Sequence, residues 1–289
     1  MTVAERPQNN TIGFGPDGRD ELLLAAPEAF SIAHDHCSPE CLHIHAIWGY
    51  LRLYGGLESV ARDGDFLIRE LRQAIVDGAR RILIAGSADC GILSYVRYAA
   101  PEPAMLEIDL IDRCATPGAL NRWYAKRHGL NLWADATDVM DFDGSRGTYD
   151  VILAHNFLMF FNHEGRCAVA RKWASLLAPG GRILSVSTLS AGDDRAVTRF
   201  DRDCGEAIAD KVAREHAAAA PDGIATEAIA RLARSYAVGQ HNYKIPSDTV
   251  LAAPFKAAGL DVTLRATGPF AARRGVVAKH PMQKRKEAN

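Results

Sequence analysis

The run RRILIAGSADCG, residues 80–91, joins a short apolar strand to a glycine turn, with helix-forming residues beyond it. Gly86, Ser87, Ala88 and Gly91 make up that turn. Glycine has no Cβ, so such a turn lets the backbone approach a ligand closely. Asp112 ends the next apolar strand, LEIDLID. A carboxylate there accepts hydrogen bonds from both hydroxyls of a ribose. Together these features point to an adenosine-containing cofactor at the edge of an open α/β sheet. The spacing Gly86-x-x-x-x-Gly91 departs from the G-x-G-x-x-G dinucleotide fingerprint, so the turn alone does not name the cofactor.

A second group able to do chemistry lies nearer the N-terminus. His34, His36, Cys37, Cys41, His43 and His45 crowd one short stretch. Thiolate and imidazole are zinc ligands. The spacing matches no familiar finger or ribbon, and on a helix Cys41 and His45 share a face that His43 leaves. The segment is therefore expected to cap the cofactor pocket without holding a metal. His34, His36 and His45 then become polar points in its wall, with His34 and His36 as candidates for proton transfer to or from substrate. Trp48, Tyr50 and Arg52 read as core and rim residues of the same cap. Cys90 and Cys114 sit near the binding edge and read as small packing residues.

The elements that must position these groups follow from periodicity. Strands are expected at 81–85, 105–111, 131–134, 149–155, 182–188, 260–266 and 274–279. Helices fit 91–99, 117–128, 164–177 and 247–258, with Asp65 as N-cap of another over 66–76. Strands alternating with helices give crossover units and a parallel sheet. Pro179-Gly180-Gly181 is expected to be a tight stop before the fifth strand. The last two strands are too close in sequence for a helical crossover, so that pair should be antiparallel. The fold class is thus α/β: doubly wound, a mostly parallel seven-stranded sheet with an antiparallel last strand, an N-terminal helical segment and a helical insertion.

By this reading residues 1–27 form a loose arm, 28–79 a helical cap, and 80–289 the sheet domain. Residues 192–240 interrupt the alternation with helices at 205–218 and 225–237. An insertion at that point sits above the carboxyl ends of the strands, where ligands bind, and is a candidate lid. His241 and Tyr243, just after it, are candidate pocket residues.

The bulk properties exclude several classes. The chain has 289 residues, 48% of them hydrophobic, and a formal net charge of −1. That balance gives no general attraction to nucleic acid. The cluster Lys284-Arg285-Lys286 is short and reads as a solvated tail. No apolar run is long enough to span a bilayer, and the polar start resembles no signal peptide. The six cysteines are scattered and read as reduced thiols in a cytoplasmic protein.

The order of motifs resembles the class I S-adenosylmethionine-dependent methyltransferases. The resemblance spans roughly residues 80–190 plus the closing strand pair, and the segments YDVILAHN and LLAPGGRIL carry it most specifically. It implies S-adenosyl-L-methionine as cofactor, with Gly86, Ser87, Ala88 and Gly91 at its methionine part and Asp112, followed by Arg113, at its ribose. It also implies Asp135 and Ala136 at adenine, and His155 and Asn156 between cofactor and substrate. His155 is the leading candidate base, with His34, His36 and Tyr243 behind it. The family's acidic residue before the first glycine and its second glycine are Ala85 and Ala88 here. The implied activity is methyl transfer to a small-molecule acceptor. The same cofactor could instead serve aminocarboxypropyl transfer or cyclisation releasing methylthioadenosine, or be bound by a non-catalytic scaffold. The segments CLHIHAIWGYLRLYGG and LIDRCATPGALNRWYA also resemble a little-characterised branch of these enzymes, which implies no particular substrate.

Overall fold

The structure, a computed structural model, describes residues 15–54, 60–199, 202–219, 223–239, 241–268 and 272–281. Residues 1–14, the glycine pair at 55–56 and the basic cluster at 284–286 lie outside these.

The central strands are β1 (Arg81–Ala85), β2 (Glu107–Asp112), β3 (Leu132–Ala136), β4 (Tyr149–His155) and β5 (Leu177–Thr188), with β8 (Asp261–Ala266) and β9 (Arg273–Lys279) closing the sheet. Their order is β3-β2-β1-β4-β5-β9-β8 in one seven-stranded sheet. β9 runs antiparallel to both β5 and β8, and the pairs among β1 to β5 are parallel. The alternation of side chains along each strand feeds two cores. Ile82, Ile84, Leu110 and Val151 pack on one face with α4 (Gly64–Val76), α5 (Gly91–Ala99) and α6 (Ala115–His128). Leu83, Ala85, Ile152 and Ile183 pack on the other with α7 (His163–Leu176) and α10 (Asp248–Ala257).

Three local expectations change. Residues 18–27 are not a loose arm but the first half of α1 (Gly18–His36), which buries Leu22, Ala25 and Ala26. Pro179-Gly180-Gly181 does not stop the chain. Leu177 already pairs with Tyr149, residues 178–181 bulge out, and Arg182 rejoins β4 at Val151. The N-cap position of α4 belongs to Asp63, not Asp65, and the Asp63 side chain makes no capping bond. It is used elsewhere, as shown below.

A third core lies outside the sheet. α1, α2 (Pro39–His45) and α3 (Trp48–Leu53) pack with the insertion helices α8 (Arg202–Ala218) and α9 (Thr226–Gly239) through Ile47, Tyr50, Leu51, Val212, Ile229 and Ala233. The N-terminal segment and the insertion therefore form one helical layer. Two short strands, β6 (Val197–Arg199) and β7 (His241–Tyr243), pair antiparallel at the base of the insertion.

Candidate functional site

β1 delivers Gly86 at φ +76, a conformation that glycine adopts without strain. The Gly86 amide donates to Ile111 O at 2.9 Å, drawing the turn against the end of β2. Two further amides orient the carboxylate there. Ser87 N donates to Asp112 Oδ2 at 3.1 Å and Cys114 N to Asp112 Oδ1 at 2.9 Å. Each oxygen has additional acceptor capacity. Burial raises the Asp112 carboxyl above its ordinary value, and these amides and the nearby His45 oppose that shift without cancelling it.

The turn is also braced from the helical layer. Arg52 of α3 pairs with Asp89, and both are buried, at 4% and 7% exposure. Asp89 Oδ1 accepts from Gly91 N at 2.8 Å, and Ser87 Oγ donates to Asp89 O at 2.6 Å. The loop that lacks an acidic residue at Ala85 thus carries one at Asp89, turned inward. A Cβ on Gly86 would lie 2.5 Å from the Phe157 ring. Gly86→Ala is therefore expected to cost about 1–3 kcal/mol through overpacking, read as a lower urea midpoint.

The other residues assigned to the cofactor reach the same sheet edge. Ala136 pairs with Asp112 across β3 and β2. Asp135 is exposed there and accepts from Thr137 Oγ1 at 2.5 Å. Arg113 is exposed and lies 3.5 Å from Asp138. Asn156 leaves β4 at φ +51, with its amide donating to Val186 O at 2.8 Å. Asparagine tolerates that region better than most residues.

His155 sits in a buried network whose other members the sequence reading missed. Its Nε2 lies 2.7 Å from Asp63 Oδ2. Arg273 Nε donates to Asp63 Oδ1 at 2.8 Å, Arg273 Nη2 also bonds Asp63, and Thr267 Oγ1 donates to the same carboxylate. Asp63 is fully buried, and the side chains of His155 and Arg273 are 10% and 4% exposed. Burial disfavours ionised Asp63, yet the bonds from His155 and Arg273 hold its carboxyl well below the usual range. Burial also lowers His155, despite the Asp63 hydrogen bond, and the Arg273 charge adds to that shift. Arg273 Nη2 also lies 3.1 Å from His155 Nε2, but the shorter 2.7 Å contact with a carboxylate that only accepts assigns the ring proton to Nε2 and leaves the lone pair on Nδ1. Asp63, Thr267 and Arg273 are distant in sequence and belong to no recognisable motif.

The remaining candidates are more scattered. His34 and His36 are exposed on the last turn of α1, and His34 Nδ1 donates to Phe30 O at 2.7 Å. The structure does not bring either into the His155 network. Tyr243 is half-buried on β7, which packs against residues 158–160 just after β4, while His241 is exposed. His45 is buried against Cys37, Cys41 and Cys114. Burial works against protonation of His45, but its hydrogen bonds to these three sulfurs raise it well above its ordinary value. Cys114, read from sequence as a packing residue, is thus part of the histidine–cysteine cluster.

Two open grooves elsewhere hold no such convergence. One runs over the outer face of α4 and α5 between Asp65 and Tyr98, the other lies beside Asn162 and Asp194. Neither touches the carboxyl edge of β1 and β2, where oriented polar groups converge.

Strand order and the reversed β9 define the class I methyltransferase architecture, and comparison with solved structures agrees. The S-adenosylmethionine-dependent methyltransferase SibL superposes with a TM-score of 0.53 at 18% identity, over 88% of this chain and 62% of its own. An O-methyltransferase family protein from Burkholderia thailandensis gives 0.53 at 16% identity, over 89% and 64%. A methyltransferase from Clostridium acetobutylicum gives 0.52 at 9% identity, over 80% and 96%. This chain therefore spans under two thirds of the length of the first two. Neither a protein-family model nor a curated protein matches the sequence. The chain has the fold of the class I S-adenosylmethionine-dependent methyltransferases.

Proposed function

We propose that this protein is an S-adenosylmethionine-dependent methyltransferase acting on a small-molecule acceptor between the sheet edge and the helical layer. The observation that carries this reading is Asp112, held by the amides of Ser87 and Cys114 beside the glycine turn. A carboxylate so fixed suits the two hydroxyls of a ribose. Asp135 and Ala136 lie next along the edge for adenine. The turn 86–91, braced by Arg52 and Asp89, offers backbone to the methionine part. Several structural neighbours are described as O-methyltransferases, among them the mitomycin 7-O-methyltransferase MmcR.

When bound, the cofactor supplies a methyl group on a positively charged sulfur. The chain's own task is to position the acceptor and exclude water. In this reading His155 takes a proton from the acceptor, with Asp63 orienting the ring through Nε2 and leaving Nδ1 as the base, the arrangement in which a third group orients a base. Residues 28–54 and the insertion share a core, which supports reading them together as the wall that closes the pocket. Among the described residues, no helix is long and apolar enough to cross a membrane.

The test is incubation of the full-length protein with S-adenosylmethionine and candidate small-molecule hydroxyl, amine and thiol acceptors, followed by mass spectrometry. Release of S-adenosylhomocysteine with a methylated acceptor is expected. Methylthioadenosine formed without added acceptor would replace this reading with intramolecular cyclisation of the cofactor, methylthioadenosine formed only with an acceptor would replace it with aminocarboxypropyl transfer, and absence of calorimetric binding would remove the cofactor. Asp112→Ala is expected to weaken cofactor binding by about 1.5–3 kcal/mol for each charge-assisted bond lost. Unchanged affinity in calorimetric titration of the folded variant would take Asp112 out of the site.

A further inference from the structure

We propose that Cys37, Cys41, His45 and Cys114 form a structural zinc site that fastens the N-terminal helical layer to the sheet. Their ligand atoms all lie within 4.8 Å of one another. Cys37 Sγ is 3.6 Å from Cys114 Sγ and 3.3 Å from His45 Nδ1, and Cys41 Sγ is 3.7 Å from Cys114 Sγ. Tetrahedral zinc, with Zn–S near 2.3 Å and Zn–N near 2.0–2.1 Å, requires S···S edges of about 3.8 Å and S···N edges of about 3.5 Å. These three edges are within a few tenths of an ångström of that figure, and the remaining ones, all under 4.8 Å, need only a small contraction to close on one ion. A disulfide needs about 2.0 Å between sulfurs, well short of the 3.6 and 3.7 Å that separate Cys114 from Cys37 and Cys41.

Three features of the fold place the four ligands. Cys37 is the C-cap residue of α1. Cys41 and His45 stand one turn apart on α2, so they present one face. Cys114 is the N-cap residue of α6. Its amide is anchored by Asp112, and Thr116 Oγ1 lies 3.1 Å from Cys37 Sγ. These surrounding contacts fix ligand orientation, as outer partners do in metal sites. Three sulfurs and one imidazole with no carboxylate select zinc over magnesium or calcium. Four protein ligands leave no open position, which marks a structural role. Binding takes three thiolates and a neutral imidazole, so Zn²⁺ displaces every proton that the cysteines and His45 hold between them.

The consequence for the fold is specific. Cys114 lies two residues beyond Asp112, so the metal would tie residues 37–45 to the loop that carries that carboxylate. The site does not depend on the methyltransferase reading, since its readout is metal content.

Full-length protein produced with zinc and purified without chelator should carry about one zinc per chain by elemental analysis and native mass spectrometry. Cobalt reconstitution should give the intense visible bands of a tetrahedral thiolate site. Cys114→Ser should lose the metal and those bands, whereas Cys167→Ser, away from the cluster, should keep both. If Cys114→Ser fails to fold, cobalt titration of the reduced wild-type chain decides. No stoichiometric uptake by four reduced ligands would overturn the proposal. So would a Cys37–Cys114 or Cys41–Cys114 disulfide in the native protein, or full metal retention in folded Cys114→Ser.

Discussion

Asp63→Ala is expected to destabilise the protein by about 3–5 kcal/mol, because it leaves a buried guanidinium without its counter-charge. Asp63 is 0% exposed, and Arg273 bonds it through both Nε and Nη2. The change also removes the partners of His155 Nε2 and Thr267 Oγ1. The loss should appear in urea denaturation as a lower midpoint with little change in slope. A double change, Asp63→Leu with Arg273→Met, should recover part of it, because well-packed apolar residues can replace a buried ion pair. The pH profile separates the two titrating members. Asp63 has a depressed carboxyl, so its contribution is present above the unfolded value near 3.9 and is lost as pH falls below that. His155 is also depressed, so the unfolded chain takes a proton first and stability falls below about pH 6.5. His155→Ala should flatten the upper window and leave the lower one. His45 is raised and acts with the opposite sign in the same range, so the difference between wild type and His155→Ala is the readout, and a difference flat from pH 7 to pH 5 would contradict the buried neutral imidazole.

His155→Ala is expected to reduce turnover about 10²–10⁴-fold if the imidazole removes a proton from the acceptor, while the fold survives. The working form of a base is deprotonated, so wild-type activity should hold above the folded-state value and decline only below it. Burial lowers that value in His155, which moves the acid limb under about pH 6.5. The deficit of the variant should shrink as pH rises, since the acceptor then loses its proton unaided. A deficit independent of pH points to positioning instead. Full turnover by a folded variant on its true substrate excludes both roles. His34→Ala and His36→Ala, measured beside it, are expected to have small effects, because both side chains are exposed on α1 outside the network.

Much of the sheet is legible from pattern. β1 and β4 fall on the residues that apolar runs mark, 81–85 and 149–155, and α5 falls on 91–99. These runs are short, mostly apolar and bounded by glycine or polar residues, so local signals agree with the tertiary outcome. The stretch 177–181 is misread because Pro179 and Gly180 punctuate the sequence, while the neighbouring strand accepts Leu177 before the bulge begins. The glycine turn and Asp112 are legible for a related reason: they are fixed by their place at strand ends.

The composition, the alternation of strands and helices, and the strand-end residues Gly86, Asp112, Asp135 and His155 are determined by the sequence itself. Each depends on local propensity and period, which a linear pattern carries. The tertiary structure alone decided three further things. It joined α1–α3 to α8 and α9 as one core, although those segments are far apart in the chain. It gathered Asp63, His155, Thr267 and Arg273 around one buried carboxylate. It brought Cys114 to Cys37, Cys41 and His45, completing a four-membered set of which the N-terminal stretch holds only three. Buried charges and soft ligands are stabilised by partners in space, and spacing along the chain does not specify which partners the packing of helices on a sheet will supply.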